Sequence, residues 1–374
     1  MKILFTGGGT GGHFYPIIAI AEQIQEITKE QKLIAPKLYY MAPNPYNAKE
    51  LFDHEINFVP VSAGKLRRYF SVQNFFDLFK TGFGVISAIL KIFFIFPDVI
   101  FSKGGFVSVP PLVAGRLLGI PIVMHESDSV PGRVSAWAGK FATRIALSYK
   151  EAAEYFPADK IAVTGNPVRK EITNPVSSGA YEYLNLEEGV PVLLVMGGSQ
   201  GAVIINDALL DALPRLVSKY QIIHQTGKKN INDTKHTAEV VLENNPHKNR
   251  YKPFDYLNSL AMRMSAGVAN LVISRGGSSL FEIAEWGIPS IIIPITDSNG
   301  NHQRKNAYNY ARTGAAVVIE EANLSPEIIV SEIDRILEDN KLTAKMRAAA
   351  KAFSSPKAAR TIAEEILNIA LQHE

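Results

Sequence analysis

Six residues near the start, Gly7-Gly8-Gly9-Thr10-Gly11-Gly12, include five glycines, and His13 follows them directly. An apolar run precedes this string and an amphipathic one follows it, so it reads as a strand-to-helix turn. Glycines there let the backbone approach a ligand closely, and the helix start offers unpaired N–H groups at the positive end of its dipole. Phosphate is the natural guest. The same helix start lowers a histidine pKa and favours the neutral imidazole that a general base needs. His13 therefore reads as a base, with a capping or structural histidine as the alternative. A second string, Gly197-Gly198-Ser199-Gln200-Gly201, opens the later half of the chain in the same way. Ser199 can cap the helix after it and still reach a pyrophosphate.

Common nucleotide motifs fit these loops poorly. Gly7, Gly9 and Gly12 match G-x-G-x-x-G, but a dinucleotide fold also needs a carboxylate at the end of the second strand, about 20 residues on. That strand runs into Met41-Ala42-Pro43-Asn44 instead. Gly7 and Gly12 have the P-loop spacing, yet His13 stands where that motif needs lysine. Neither NAD nor ATP of the common kind is favoured.

The elements that must position these loops alternate short apolar runs with longer amphipathic ones, the pattern of βαβ units and a parallel sheet. Lys2–Phe5, Leu38–Met41, Asp98–Phe101, Ile120–His125, Thr143–Leu147 and Ile161–Thr164 read as strands, with a helix over Tyr15–Ile27. The breakers Gly165-Asn166-Pro167 and Asn174-Pro175 mark a junction. Pro191–Met196, Gln221–His224, Leu271–Ser274, Ser290–Ile293 and Ala316–Ile319 are strands of a second series, with a helix over Val203–Leu213. The expected organisation is a domain over 1–166 and a domain over 167–355. The final helix, Ala358–Gln372, is expected to pack back on the first of them. A length of 374 residues suits two domains. A hydrophobic content of 47% with 20% charge fits a globular chain. The net charge of +3 is too small to argue for nucleic acid, and the absence of cysteine excludes disulfides and thiolate metal sites. The first residues enter a strand at once, which reads as a cytoplasmic protein without a signal peptide.

Residues 65–96 differ from the rest. Lys65, Arg67, Arg68, Lys80 and Lys91 face a single acid, Asp77, and Phe70, Phe75, Phe76, Phe79, Phe83, Phe93, Phe94 and Phe96 are interleaved with them. Val72, Phe76, Phe79, Phe83, Ile86, Leu90 and Phe93 recur at helical spacing. Basic residues beside an aromatic face suit an anionic bilayer surface, so Arg67, Arg68, Phe70, Phe75, Phe76, Phe79 and Lys80 are expected to touch membrane. The later half of the stripe reads as core. Lys91 in mid-span argues against a spanning helix.

Gly8-Gly9-Thr10-Gly11-Gly12-His13, His125-Glu126, Gly165-Asn166-Pro167-Val168-Arg169, Gly197-Gly198-Ser199-Gln200-Gly201-Ala202 and Ser274-Arg275-Gly276-Gly277 with Glu282-Ile283-Ala284 occur together and in order. The ordered set spans nearly the whole chain and resembles the MurG family of bacterial UDP-N-acetylglucosamine transferases. The resemblance implies a GT-B fold, two Rossmann-like α/β domains whose parallel sheets flank a central cleft. It implies inverting transfer of GlcNAc from UDP-GlcNAc to the 4-hydroxyl of MurNAc in lipid I, the undecaprenyl-diphosphate-linked MurNAc-pentapeptide, giving lipid II for peptidoglycan. UDP-GlcNAc is then a substrate and no cofactor is expected. No Asp-x-Asp ends a strand, so no essential metal site is expected either. The protein would sit peripherally at the cytoplasmic face of the cell membrane, among other cell-wall synthesis proteins.

Carried over by position, Thr10, Gly11 and Gly12 line the sugar side of the site. Arg169, Ser199 and Gln200 contact the donor, and the backbone near Phe254 contacts the uracil. Glu282 accepts from the ribose hydroxyls, as a carboxylate suits a diol, and Gln303 lies near the donor sugar. An interdomain salt bridge is the other reading of Arg169. The chain departs from the family at His125-Glu126-Ser127-Asp128, where His-Glu-Gln-Asn is usual. Asp128 accepts but cannot donate, and its charge opposes a nearby phosphate. Arg275 and Glu282 are one residue closer than usual, and His302-Gln303 replaces a pair of glutamines. Two other classes remain open: another GT-B enzyme, an epimerase or glycolipid transferase, and a non-catalytic nucleotide-sugar-binding protein.

Overall fold

The structure, a computed structural model, describes residues 1–64, 72–198, 201–296 and 299–373. It divides into two compact units, residues 1–169 with 355–374, and residues 170–354.

The first unit is built on seven parallel strands: β1 (Lys2–Thr6), β2 (Lys37–Ala42), β3 (Ile56–Pro60), β4 (Val99–Ser102), β5 (Ile122–Glu126), β6 (Arg144–Leu147) and β7 (Ile161–Val163). Their order is β3-β2-β1-β4-β5-β6-β7. The chain therefore winds outward in both directions from the β1–β4 pair, whose carboxyl ends are the switch point where such sheets hold ligands. Alternation along β1 sends side chains to two cores. Ile3 and Phe5 join the helix Gly11–Glu30 and the final helix Ala358–His373. Leu4 turns to the other face, among Ile92, Ile100 and Leu112. On the final helix Ile362, Ile366 and Leu367 are fully buried, each contributing about 1.5–3 kcal/mol of transfer free energy.

The second unit has β8 (Val192–Met196), β9 (Gln221–Gln225), β10 (Tyr251–Phe254), β11 (Ala269–Ser274), β12 (Ser290–Ile292) and β13 (Ala316–Val318). All are parallel, in the order β10-β9-β8-β11-β12-β13, with a switch point between β8 and β11. Leu193, Val195, Ile222 and Ile273 pack against Leu209 and Leu213 of the helix Val203–Leu216 and against Ile329 and Ile333 of the helix Pro326–Glu338.

Two strands, β3 and β10, lie outside the sequence reading. Both are edge strands, half-exposed and carrying proline, Pro60 and Pro253. Proline removes a ladder donor and belongs at such edges, so local composition hides them. The first helix also begins earlier than its apolar pattern, at Gly11 with Thr10 as its N-cap.

The aromatic segment corrects one expectation. Arg67, Arg68 and Phe70 lie outside the described residues. From Val72 to Ile95 the chain is one helix. Phe75, Phe76, Phe79, Phe83, Ile86, Leu90, Phe93 and Phe94 are all exposed, Phe83 at 71% and Phe94 at 81%. The later half of the stripe is therefore surface and not core. The helix is held by its small-residue side instead. A Cβ on Gly84 would fall 1.8 Å from the Ser62 carbonyl oxygen, and Ala88 and Ile92 are buried beside the helix Val109–Leu117. Thr81 Oγ1 accepts from Gly64 N at 3.0 Å and donates to Asp77 O, and Lys91 Nζ donates to Pro60 O. Among the described residues Phe75–Ile95 is the one helix long and apolar enough, by length and composition, to cross a membrane.

Candidate functional site

In the first unit the loop after β1 and the loop after β4 meet at the switch point. Lys103 N continues the ladder by donating to Thr6 O at 2.9 Å. A Cβ on Gly7 would come within 2.7 Å of Lys103 Cβ, and one on Gly8 within 2.6 Å of the Tyr40 hydroxyl oxygen. Close packing of backbone on side chain thus demands these glycines. Burial raises the Tyr40 phenol well above its usual value, so it stays protonated and donates to Gly7 O.

Gly11, Gly12 and His13 form the first turn of the helix Gly11–Glu30, and the Thr10 side chain makes no capping hydrogen bond to it. His13 Nδ1 lies 3.3 Å from Gly8 O and 3.3 Å from Thr10 Oγ1. A carbonyl only accepts, so the Gly8 contact requires the proton on Nδ1 and leaves the lone pair on Nε2. The ring rests on Gly105, where a Cβ would lie 3.6 Å from His13 Cε1. Thr10, Gly11, Gly12 and His13 are thus grouped on the rim of one loop.

Behind that rim sits a charged cluster in which Lys103, absent from the sequence motifs, joins the His125-Glu126 pair and Asp128. Lys103 is 2% exposed, and its amine makes no hydrogen bond among the described residues. Burial pushes it down to about 8, against the opposing pull of Glu126 and Asp128. His125, buried and well below its usual pKa through desolvation, stays neutral. Its Nε2 faces Gly165 O and Ser148 Oγ, both at 3.1 Å. Glu126 accepts from Asp128 N at 2.9 Å and Gly132 N at 3.2 Å, and burial followed by the Asp128 charge raises its pKa. A lysine between an apolar strand and two glycines was the one visible signal for Lys103.

Arg169 closes the first unit. It is buried, stacked 3.9 Å over the Tyr15 ring and paired with Glu50 at 3.2 Å. Its ion-pair partner thus belongs to the same unit.

In the second unit, Ser199 and Gln200 lie outside the described residues. The glycines around them are fixed: Gly198 O accepts from Gln225 Nε2, and Gly201 packs against Thr226. Phe254 O, at the end of β10, accepts from Thr226 N at 2.9 Å and Thr226 Oγ1 at 3.1 Å, which commits that carbonyl within the unit. Glu282 is the acid in the first turn of the helix Ser279–Trp286, which follows β11. Gln303 Oε1 accepts from Ile295 N at 3.3 Å, and its own backbone carbonyl sits where a Cβ on Gly276 would need to be. Local sequence also leaves out an ion pair here, whose arginine is buried. Arg275 at the end of β11 donates to Ile293 O and to Glu321, whose other oxygen accepts from Thr296 N. This pair joins the ends of β11 and β12.

The sequence matches the glycosyltransferase family 28 N-terminal domain over residues 3–147 and the family 28 C-terminal domain over residues 192–362. A protein of Halothermothrix orenii is 37% identical, covering 97% of both chains. One of Bacillus cereus is 35% identical, covering 98% of this chain and 99% of its own. Both are named as UDP-N-acetylglucosamine–N-acetylmuramyl-(pentapeptide) pyrophosphoryl-undecaprenol N-acetylglucosamine transferases. Among solved structures, Acinetobacter baumannii MurG has a TM-score of 0.73 at 23% identity, covering 98% of this chain and 99% of that one. A Neisseria meningitidis UDP-GlcNAc 2-epimerase bound to UDP-GlcNAc scores 0.68 at 14% identity, covering 98% of this chain and 100% of its own, which shows the shared fold alone.

Proposed function

We propose, from the premise that the chain belongs to the MurG family of N-acetylglucosamine transferases, that it moves GlcNAc from UDP-GlcNAc to the 4-hydroxyl of MurNAc in lipid I. Lipid II and UDP are the products. The second unit takes the donor: Ser199, Gln200 and the Gly197–Gly201 loop hold the pyrophosphate, Phe254 and Glu282 the uridine, and Gln303 the sugar. Arg169 joins the donor contacts by exchanging its Glu50 partner for phosphate. The first unit takes the acceptor, with Thr10, Gly11, Gly12 and Asp128 near the reacting hydroxyl.

Inversion requires one displacement. The acceptor oxygen forms a bond to the anomeric carbon as the bond to the β-phosphate breaks, and the hydroxyl proton passes to His13 Nε2. The leaving diphosphate is stabilised by backbone amides at helix starts. No metal and no cofactor enters this scheme. The observation that carries it is the His13 imidazole, whose contact with the Gly8 carbonyl puts the proton on Nδ1 and the lone pair on Nε2. The exposed face of Phe75–Ile95, with Lys80 and the basic stretch 65–68 before it, supports peripheral contact with an anionic membrane. That contact would bring the first unit to a lipid-linked acceptor.

The test is transfer of labelled GlcNAc to a lipid I analogue. The natural protein should form lipid II. His13→Ala should keep its affinity for UDP-GlcNAc and lose about 10²–10⁴-fold in turnover. Epimerisation or hydrolysis of UDP-GlcNAc without lipid II would overturn the reading. Lost donor binding with intact chemistry would remove the role given to His13.

A further inference from the structure

Gln225, which ends β9, has no place in the scheme above. The strand order β10-β9-β8 puts β9 between the strands that lead into the two donor loops. Pairing aligns Gln225 with Met196 on one side and with Phe254 on the other. Met196 runs directly into Gly197-Gly198, and Phe254 into Asp255-Tyr256-Leu257. The Gln225 side chain is buried, and its amide reaches both loops. Nε2 donates to Gly198 O at 3.2 Å, and Oε1 accepts from Leu257 N at 3.0 Å. An N–H only donates and a carbonyl only accepts, so these two contacts fix which way the amide points. A carboxamide carries one group of each kind. An ionised carboxylate in its place would set an acceptor against the Gly198 oxygen, and an apolar side chain would partner neither backbone group.

Thr226 repeats the arrangement one residue on. Its N and Oγ1 donate to Phe254 O, while its own carbonyl accepts from Asn206 Nδ2 at 3.1 Å, and Gly201 packs on that same oxygen. Asn206 belongs to Val203–Leu216, the helix that the glycine loop opens. The end of β9 is thus bonded to the loop after β8, to the helix that follows it and to the end of β10. Bonds on both sides hold the two loops at one separation before a ligand arrives. That lowers the ordering cost when a single ligand must engage both. We propose that Gln225 is a positioning residue: it couples the glycine loop after β8 to the nucleobase side after β10, so that a nucleoside diphosphate is held across a preset span. The inference rests on the donor assignment to the second unit.

The experiment titrates uridine and UDP onto the natural full-length protein and onto Gln225→Met, which keeps the length of the side chain and removes both hydrogen bonds. Uridine engages one loop and needs no preset span, whereas UDP engages both. Gln225→Met should therefore weaken UDP by at least about tenfold and uridine by less than about threefold. In turnover, KM for UDP-GlcNAc should rise by at least about tenfold while kcat stays within about threefold. A structural role alone would weaken uridine as much as UDP, and that result overturns the proposal. So does a variant with natural affinity for UDP. If Gln225→Met is insoluble, the same titrations are made on Gln225→Glu, which keeps an acceptor for Leu257 N and, when ionised, offers no donor to Gly198 O. Insolubility of both variants would make the role of this residue one of folding and would also overturn the proposal. If the natural protein does not bind UDP, the donor assignment fails. If it binds UDP and the variant keeps the natural ratio of UDP to uridine affinity, the assignment stands and the coupling fails.

Discussion

The second glycine loop allows a steric cost to be separated from a conformational one. Gly198 and Gly201 both have left-handed backbones, with φ of +87° and +77°. An L-residue in that region costs about 1–2 kcal/mol. Their surroundings differ. Among the described residues a Cβ on Gly198 meets nothing within 4 Å, whereas one on Gly201 would fall 1.9 Å from Thr226 O and 2.7 Å from Asn230 Nδ2. The Thr226 oxygen is backbone at the end of β9 and cannot move without the sheet, so overpacking adds about 1–3 kcal/mol. Gly198→Ala should therefore destabilise the second unit by about 1–2 kcal/mol, and Gly201→Ala by about 2–5 kcal/mol. The chain has two tryptophans, Trp137 and Trp286. In a Trp137→Phe background the fluorescence of Trp286, buried with its Nε1 donating to Ile172 O at 2.8 Å, reports the second unit alone. Urea titration of both variants in that background measures the two costs. Equal losses would show that the loop yields to accommodate the methyl group and would refute the steric argument. Gly198→Ala should in addition weaken UDP-GlcNAc binding more than it weakens the fold, because its open side is where a ligand would approach.

Acid should act on the second unit through His224. That side chain is fully buried between Tyr251 Oη at 2.8 Å and Asn206 Oδ1 at 3.1 Å, and burial lowers its pKa to about 3. The unfolded chain takes up this proton near pH 6.5, so stability is fully present above that value and falls by about 1.4 kcal/mol per pH unit down to about pH 3. The pH dependence of Trp286-detected unfolding checks this, and His224→Gln should flatten it; an unchanged slope would count against the assignment. At the membrane, replacing Phe83 and Phe93 together by Ser should lower binding to phosphatidylglycerol-containing vesicles by at least about tenfold. The fold should stay intact, because both rings are exposed. Undiminished co-sedimentation would place the contact elsewhere.

Most of the strands were legible because parallel strands buried on both faces read as short continuous apolar runs. Strands β3 and β10 were not, since an exposed proline-bearing edge has no such run. The aromatic helix shows a different limit. Periodicity states which residues share a face, and it placed Phe76, Phe79, Phe83, Ile86, Leu90 and Phe93 together. Whether that face looks inward or outward depends on the opposite side, where Gly84 and Ala88 admit the backbone of residue 62 and the neighbouring helix. His13 and the glycine loops were visible from local spacing alone. Lys103 was not, because a lysine normally reads as surface, and its burial arises only when the ends of β1, β4 and β5 come together. The Arg169–Glu50 pair was hidden for the same reason, its partners being separated by 119 residues in the chain.

The first unit takes its last helix from the end of the chain, after residues 170–354 have formed a unit of their own. During synthesis the second unit, although later in sequence, can complete its core first. The earlier sheet must wait with one face uncovered until Ile362, Ile366 and Leu367 leave the ribosome. The glycine loop that was made first is thus backed by a finished core only after those residues have emerged. A nascent chain stalled before residue 355 would expose that apolar face to chaperones, and the first unit would reach its native stability only once residues 355–374 are free to pack.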